Sequence, residues 1–402
     1  MKSLGAFWIS CWVIGVAVTG YFSFQGARSL RNVSPEDFVY YYAGTGAYWA
    51  GENPYDPEAY QARLRPLLGG ENPFPSKEHA WLYPPQMAFV FAPFALLPGN
   101  PLLAYRVWSS ALVVFALLLF SLLGRDRYGP PILLAPAILF ASPAADNAFW
   151  THRVVWMTLA ACIGGIALVS RGKQKSGGAA LALLGVQPQW WLVSAACLAA
   201  GRKWIALAVS AGLNAAVYAV YALGFRPLSE VGDYVSRIFE IGGTVLYSGN
   251  QSLAAGAYRI ALFLREEPWI GVLPATGPFG AFRTASAVAF AAGAVLLWRS
   301  RLRWEEKSLL TVAFAVWVQP YTHGSEALWA IPGLLAAMSV AFPEEGEFSR
   351  AALTVLAGTV VMRFVLDFPG GRGFVASVYL LATLSLLLIA RRRARASSAC
   401  PG

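Results

Sequence analysis

The chain has 402 residues, 57% of them hydrophobic and only 13% charged, with a net charge of +10. Apolar runs of about 18 residues or more recur along it, each long enough to cross a bilayer core of about 30 Å, which excludes an ordinary soluble domain and reads as an all-α polytopic membrane protein. The positive excess does not mark a nucleic-acid binder: the basic residues sit in short connections between apolar runs and in the tail Arg391-Arg392-Arg393-Ala394-Arg395, the pattern of cytoplasmic loops.

The first run, residues 4–24, follows Lys2 alone. Its apolar core is longer than that of a signal peptide, and Phe22-Ser23-Phe24-Gln25 is a poor cleavage site, so it reads as a retained first helix starting in the cytosol. Residues 25–85 then form a large outer loop, aromatic, proline-rich and dotted with charges, the natural seat for chemistry at a membrane face. Residues 84–97 are apolar but short and carry Pro93, as a half-span or interfacial helix would. Residues 102–123 are a full span. Runs 132–145 and 154–170 form a pair whose polar turn faces outward, because Arg171, Lys173 and Lys175 follow the second.

Residues 177–200 split at Gln187-Pro188-Gln189. Two half-length helices there keep both basic ends inside, and the proline frees backbone groups that need partners within the protein. Residues 204–223 cross outward, 279–298 return to Arg299, Arg301 and Arg303, and 309–318 lead out to a segment that contains Tyr321, His323 and Glu326. Runs 327–342, 351–366 and 374–390 complete roughly ten to twelve crossings. The expectation is one domain over residues 1–402: a first helix at 4–24, an outer cap at 25–85, the remaining helices at 86–390 and a basic tail at 391–402. Both termini fall on the cytoplasmic side, and the compact length with few extended loops suits a prokaryotic plasma membrane.

Cys11, Cys162, Cys197 and Cys400 have no metal-ligand spacing, no paired Asp-x-Asp or His-x-x-x-His occurs, and the phosphate loop of nucleotide enzymes is absent. Neither a metal nor a cofactor is predicted.

Five landmarks occur in order: the acid and aromatic cluster Asp37-Phe38-Val39-Tyr40-Tyr41-Tyr42; the turn Gly51-Glu52-Asn53-Pro54-Tyr55-Asp56; Tyr83-Pro84-Pro85 before an apolar stretch; Gln187-Pro188-Gln189 followed by Gly201-Arg202-Lys203-Trp204; and Pro320-Tyr321. Together they resemble glycosyltransferase family 87, enzymes of the polyprenyl-phosphate-mannose type with the GT-C fold. Gln187 stands where that family carries lysine, and Gly324 and Glu326 stand where relatives carry an acidic or histidine pair. The resemblance implies inverting transfer of a sugar, mannose favoured, from a polyprenyl-phosphate donor to a hydroxyl of a glycan or glycolipid acceptor on the outer face. The partners are then the lipid-linked sugar, the acceptor and membrane lipids, with no nucleic acid.

On that resemblance Asp37, in the first outer loop, matches the position of the catalytic base, and desolvation among aromatic neighbours would raise its pKa. Ser34-Pro35-Glu36-Asp37 is equally a helix start with Asp37 in the capping-box place. Tyr41 and Gly44, four and seven positions on, share the face of Asp37: Tyr41 as a sugar platform or an interfacial anchor, Gly44 as a point of close acceptor approach. Arg153 and Arg259 are the cations to meet the lipid phosphate, with interfacial snorkelling as the other reading. His323, beside Tyr321, serves phosphate, proton transfer or a structural bond. Gln187 and Gln189 bond sugar hydroxyls or satisfy the backbone that Pro188 frees. Two other classes stay open: a transporter or flippase, suited to the broken helix, and a non-catalytic scaffold subunit.

Overall fold

The computed structural model describes residues 37–68, 81, 83–96, 101–124, 138–139, 141–150, 153–223, 232, 234–235, 245–246, 258, 271–272, 277–318, 324–365 and 375–399. The expected first helix at 4–24, the cap residue Ser34, and Arg259, Tyr321 and His323 lie outside them. The described chain is all-helical except for a two-residue antiparallel pair, β1 (Val245–Leu246) against β2 (Gly271–Val272).

The helices in order are α1 (Asp37–Trp49), α2 (Pro57–Leu68), α3 (Pro85–Val90), α4 (Ala92–Ala95), α5 (Pro101–Gly124), α6 (Pro143–Trp150), α7 (Val155–Ser170), α8 (Gln174–Ala182), α9 (Pro188–Ala200), α10 (Trp204–Leu223), α11 (Gly277–Arg299), α12 (Trp304–Val318), α13 (Ala330–Ala341), α14 (Glu345–Val365) and α15 (Val375–Ala399). Tight 3-10 turns at Leu183–Val186 and Gly324–Trp329 precede α9 and α13. Among the described residues two stretches, Trp204–Ala222 and Val375–Ala394, are long and apolar enough to cross a bilayer, and Pro101–Ala116, Val155–Ser170, Thr284–Arg299 and Ser325–Ala341 are apolar but shorter. Helix α5 covers the whole apolar run expected at 102–123. Proline and charge interrupt two of the other runs: the one at 177–200 breaks at Gln187, just before Pro188, and α12 carries Glu305, Glu306 and Lys307 in its first turn.

Two ends of the bundle differ in chemistry. At one end the basic turns meet. Gly178 faces the Ala206 backbone near the start of α10, Lys203 lies over the Trp304 ring at 5.7 Å, and Arg393 reaches the Ala341 carbonyl at 3.3 Å. At the other end sits the cap. Helix α7 starts there, beside Arg153, and runs to Arg171 at the basic end, while Tyr221 near the close of α10 stacks on Tyr48 of α1 with centroids 5.0 Å apart.

Helix α1 is buried almost all round, packed on α2, α3 and α4, as expected for a helix that is apolar on every face. Phe38 meets Tyr105 and Phe91 edge-on, Tyr41 meets Tyr83 at 4.7 Å, and Phe91 meets Trp108 at 5.0 Å. Such edge-to-face pairs add to what area burial alone supplies.

The sequence landmarks of the cap are its fastenings. Gly51 adopts φ +84°, a left-handed turn that glycine enters without strain. Asn53 Oδ1 accepts the Tyr55 N–H at 2.8 Å, and Asp56 Oδ1 accepts the Glu58 N–H at 3.0 Å, so Asp56 caps α2. The Tyr55 hydroxyl donates to the Tyr83 carbonyl at 2.9 Å, and the Trp81 N–H donates to the Pro54 carbonyl at 3.2 Å. The Pro54-Tyr55 turn and the Tyr83-Pro84-Pro85 boundary therefore hold each other.

Candidate active site

Asp37 opens α1 with its carboxylate turned inward, and the Arg153 Nε lies 2.9 Å from its Oδ2. The side chains are 6% and 13% exposed, so this is a buried ion pair joining the cap to the start of α7. Removing either member of such a pair is costly, because the other charge stays in a poorly solvated place. Arg153, expected on a lipid phosphate, is thus first of all the partner of the expected base, and its charge works against the desolvation that would raise the pKa of a carboxyl.

Four phenols surround the pair. Burial, then the negative charge of Asp37, push Tyr40, Tyr41 and Tyr83 above the ordinary tyrosine range, while Arg153 partly offsets this at Tyr41 and Tyr83. Tyr60 on α2 is raised by burial, then by Tyr40 and Asp37. All four stay protonated at neutral pH and can donate toward an anion. The Tyr41 hydroxyl lies against the Val154 backbone and the Tyr83 side chain.

Tyr41 and Gly44 share the inward face with Asp37, but both are filled from within. The Tyr41 ring is packed edge-on by Tyr83, Phe91 and Trp108. A methyl group added at Gly44 would run into the Trp81 indole. The partner that approaches this glycine closely is a tryptophan of the same chain.

The break at Gln187 builds a second polar junction. The Thr158 hydroxyl donates to Gln187 Oε1 at 2.8 Å, and Gln187 Nε2 donates to Glu326 Oε1 at 3.2 Å. Gln189 sits half-buried in the first turn of α9. Asp37, Tyr41, Gly44 and Arg153 therefore gather at the cap, and Gln187 lies deeper along α7. Tyr60, Tyr83 and Glu326 are neighbours that sequence reasoning did not assign. Tyr60 carries no local signal, whereas Glu326 and Gln187 both depart from the family pattern, and their joint departure was the available clue. Among the described residues no three His, Cys, Asp or Glu side chains come together.

The sequence profile described as glycosyltransferase family 87 matches residues 81–320, more than half of the chain. The chain belongs to glycosyltransferase family 87. Searches of curated proteins and of solved structures return no match. The matched residues of this family 87 chain include Trp81, Tyr83, Arg153 and Gln187, while Asp37 lies before them. What ties Asp37 to the family core is its ion pair with Arg153. Family membership makes the chain a glycosyltransferase and a membrane protein, which its two long apolar helices fit.

Proposed function

We propose that this glycosyltransferase has the GT-C architecture and moves a sugar, mannose favoured, from a polyprenyl phosphate to an acceptor hydroxyl with inversion, on the membrane face opposite its basic turns. Those turns mark the cytoplasmic side, and the termini fall there in a prokaryotic plasma membrane. The observation that carries the reading is the buried Asp37–Arg153 pair in its ring of protonated tyrosines. A carboxylate held as an anion accepts the proton of the acceptor hydroxyl. The hydroxyl oxygen then forms its bond to the anomeric carbon from the face opposite the phosphate, and the carbon–oxygen bond to the phosphate breaks with its electron pair, releasing polyprenyl phosphate.

Arg153 serves both partners in turn. It orients Asp37 before reaction and offers a guanidinium to the phosphate on which negative charge grows, a pairing suited to its planar donors. Arg259, Tyr321 and His323 complete the donor site in this reading.

The test is transfer by the purified, lipid-reconstituted protein from a panel of polyprenyl-phosphate sugars into glycan and glycolipid acceptors. Wild-type transfer that falls about a hundredfold or more in Asp37→Asn, the scale of a lost positioned base, supports the reading. Absence of transfer with every donor, although lipid-linked sugars bind, would overturn it in favour of a carrier or scaffold.

A further inference from the structure

Three helices of this chain end in the same backbone turn. After α1 the Gly51 N–H donates to the Tyr48 carbonyl and the Glu52 N–H to the Ala47 carbonyl. After α7, Gly172 and Lys173 donate likewise to Val169 and Leu168, and after α9, Arg202 and Lys203 donate to Ala199 and Leu198. This crossed pair of bonds is the Schellman ending, whose turning residue is left-handed and usually glycine. Gly51 and Gly172 follow the rule at φ +84° and +79°, whereas the third turning residue is Arg202 at φ 54°, the one non-glycine with positive φ among the described residues.

A side chain there meets steric resistance that glycine escapes. Glycine stands next door, at Gly201, where a methyl group would strike the Trp304 indole. The left-handed position itself carries an exposed cation. A side chain kept at a strained position points to a role for that side chain.

Its surroundings are of one sign. Helices α8 and α10 both start at this end, and Gly178 lets them touch, since a methyl group there would run into the Ala206 backbone. Lys175 and Lys203 each stand three residues before that contact, about 4 to 5 Å nearer the basic end. With Lys173 just ahead of α8, four cations gather at two adjoining turns. No acid occurs in the sequence between Asp146 and Glu230. The neighbouring start of α12 carries Glu305 and Glu306, of which Glu306 is paired with Arg303. Among the described residues, Lys173, Lys175 and Arg202 have no carboxylate partner.

The residues that follow set the depth. Trp204 and Ile205 are 59% and 51% exposed, and they open the stretch Trp204–Ala222, which is long and apolar enough to cross a bilayer. A tryptophan at such a boundary lies at the level of lipid headgroups, and the cations of the two turns lie there with it.

We propose that these two turns bind an anionic phospholipid of the leaflet they face. Arg202 meets the phosphate with its planar fork of donors, Lys173, Lys175 and Lys203 surround the headgroup, and Trp204 and Ile205 lie along the glycerol and upper acyl chain. Basic recesses between membrane helices suit acidic headgroups in this way, whereas the ammonium of a zwitterionic lipid would face the lysines. The inference uses the membrane placement of the chain and is independent of the reaction at the cap.

The test is lipid retention by the full-length protein, released from mixed bilayers of phosphatidylglycerol and phosphatidylcholine with matched chains and weighed with its bound lipids by native mass spectrometry. The wild type is expected to retain phosphatidylglycerol in preference. Arg202→Gly should lower that preference about fivefold, the scale of one Lys or Arg at an anionic surface. In pure phosphatidylcholine its melting temperature should not fall, because glycine enters the left-handed turn without strain. Loss of lipid without loss of stability is a result that a merely structural Arg202 would not give. Arg392→Gln, an exposed cation of α15 at the same end, should leave the preference unchanged.

The proposal is overturned if both lipids are retained equally, if Arg202→Gly changes nothing, or if Arg392→Gln lowers the preference as much, since the attraction is then diffuse. It is also overturned if bare polyprenyl phosphate displaces phosphatidylglycerol and is itself weakened by Arg202→Gly, which makes the carrier lipid the occupant. Should Arg202→Gly fold poorly, the double change Lys173→Gln with Lys175→Gln decides on the same readout, and an unchanged preference rejects the site.

Discussion

Two polar junctions lie near the start of α7, one at Arg153 just before it and one at Thr158 in its first turns, and they solve burial differently. At Arg153 a full positive charge meets the Asp37 carboxylate at 2.9 Å, and protonated phenols crowd round both. At Thr158 a neutral amide stands between a hydroxyl and the Glu326 carboxylate, with stacked indoles one turn away. The first arrangement neutralises charge and suits a base beside a departing phosphate. The second links a hydroxyl, an amide and a carboxylate by directed hydrogen bonds. Position along α7 thus separates an ion pair from a chain of directed hydrogen bonds.

The sharpest break of that contrast is Arg153→Ala. It should abolish transfer and lower stability by about 3 to 5 kcal/mol, the range for breaking a buried pair from one side, in thermal unfolding of the detergent-solubilised protein. Gly44→Ala is next. The added methyl meets the rigid Trp81 indole, and overpacking of this kind costs about 1 to 3 kcal/mol, so the melting temperature should drop and activity at low temperature should persist in part. Gln187→Lys makes the second junction resemble the first. Because a buried ion pair roughly breaks even with a neutral arrangement, stability should shift by about 1 kcal/mol or less.

The smallest effect concerns pH. The phenols of Tyr40, Tyr41, Tyr60 and Tyr83 are raised in the folded protein above the value of about 10 in the unfolded chain. Their contribution to stability is whole below pH about 10 and is lost as pH rises from there through the folded values. Melting temperatures measured on either side of pH about 10 should show the loss, and Tyr60→Phe should make it shallower.

Much of this was legible from residue chemistry. Proline at 188 removes an N–H, and the helix break with Gln187 as its pivot follows. The Gly51 to Asp56 turn announces itself through glycine, Asn-Pro and an Asp in a capping place. The short helices α3 and α4 follow from Pro93 and the brevity of the apolar run. Asp37 and Arg153 were each singled out, yet no spacing rule joins residues so far apart, and their pairing depends on how α1 packs on the bundle. Gly44 is a related case: a glycine signals close approach without saying by what, and Trp81, the indole that meets it, arrives from a later part of the chain. Tyr60 had no signature at all, since a tyrosine on a short amphipathic helix reads as packing.

The Tyr48–Tyr221 stack and the Asp37–Arg153 pair bind the earliest described helix to segments made much later. Chains are synthesised from the N-terminus, so Asp37 and Tyr48 are made well before Arg153 and Tyr221 exist. The ion pair therefore closes only once the start of α7 has been made, and a chain halted before it leaves Asp37 without the Arg153 guanidinium. On the proposed reading of Asp37 as the base, the order of synthesis itself keeps an unfinished copy from acting.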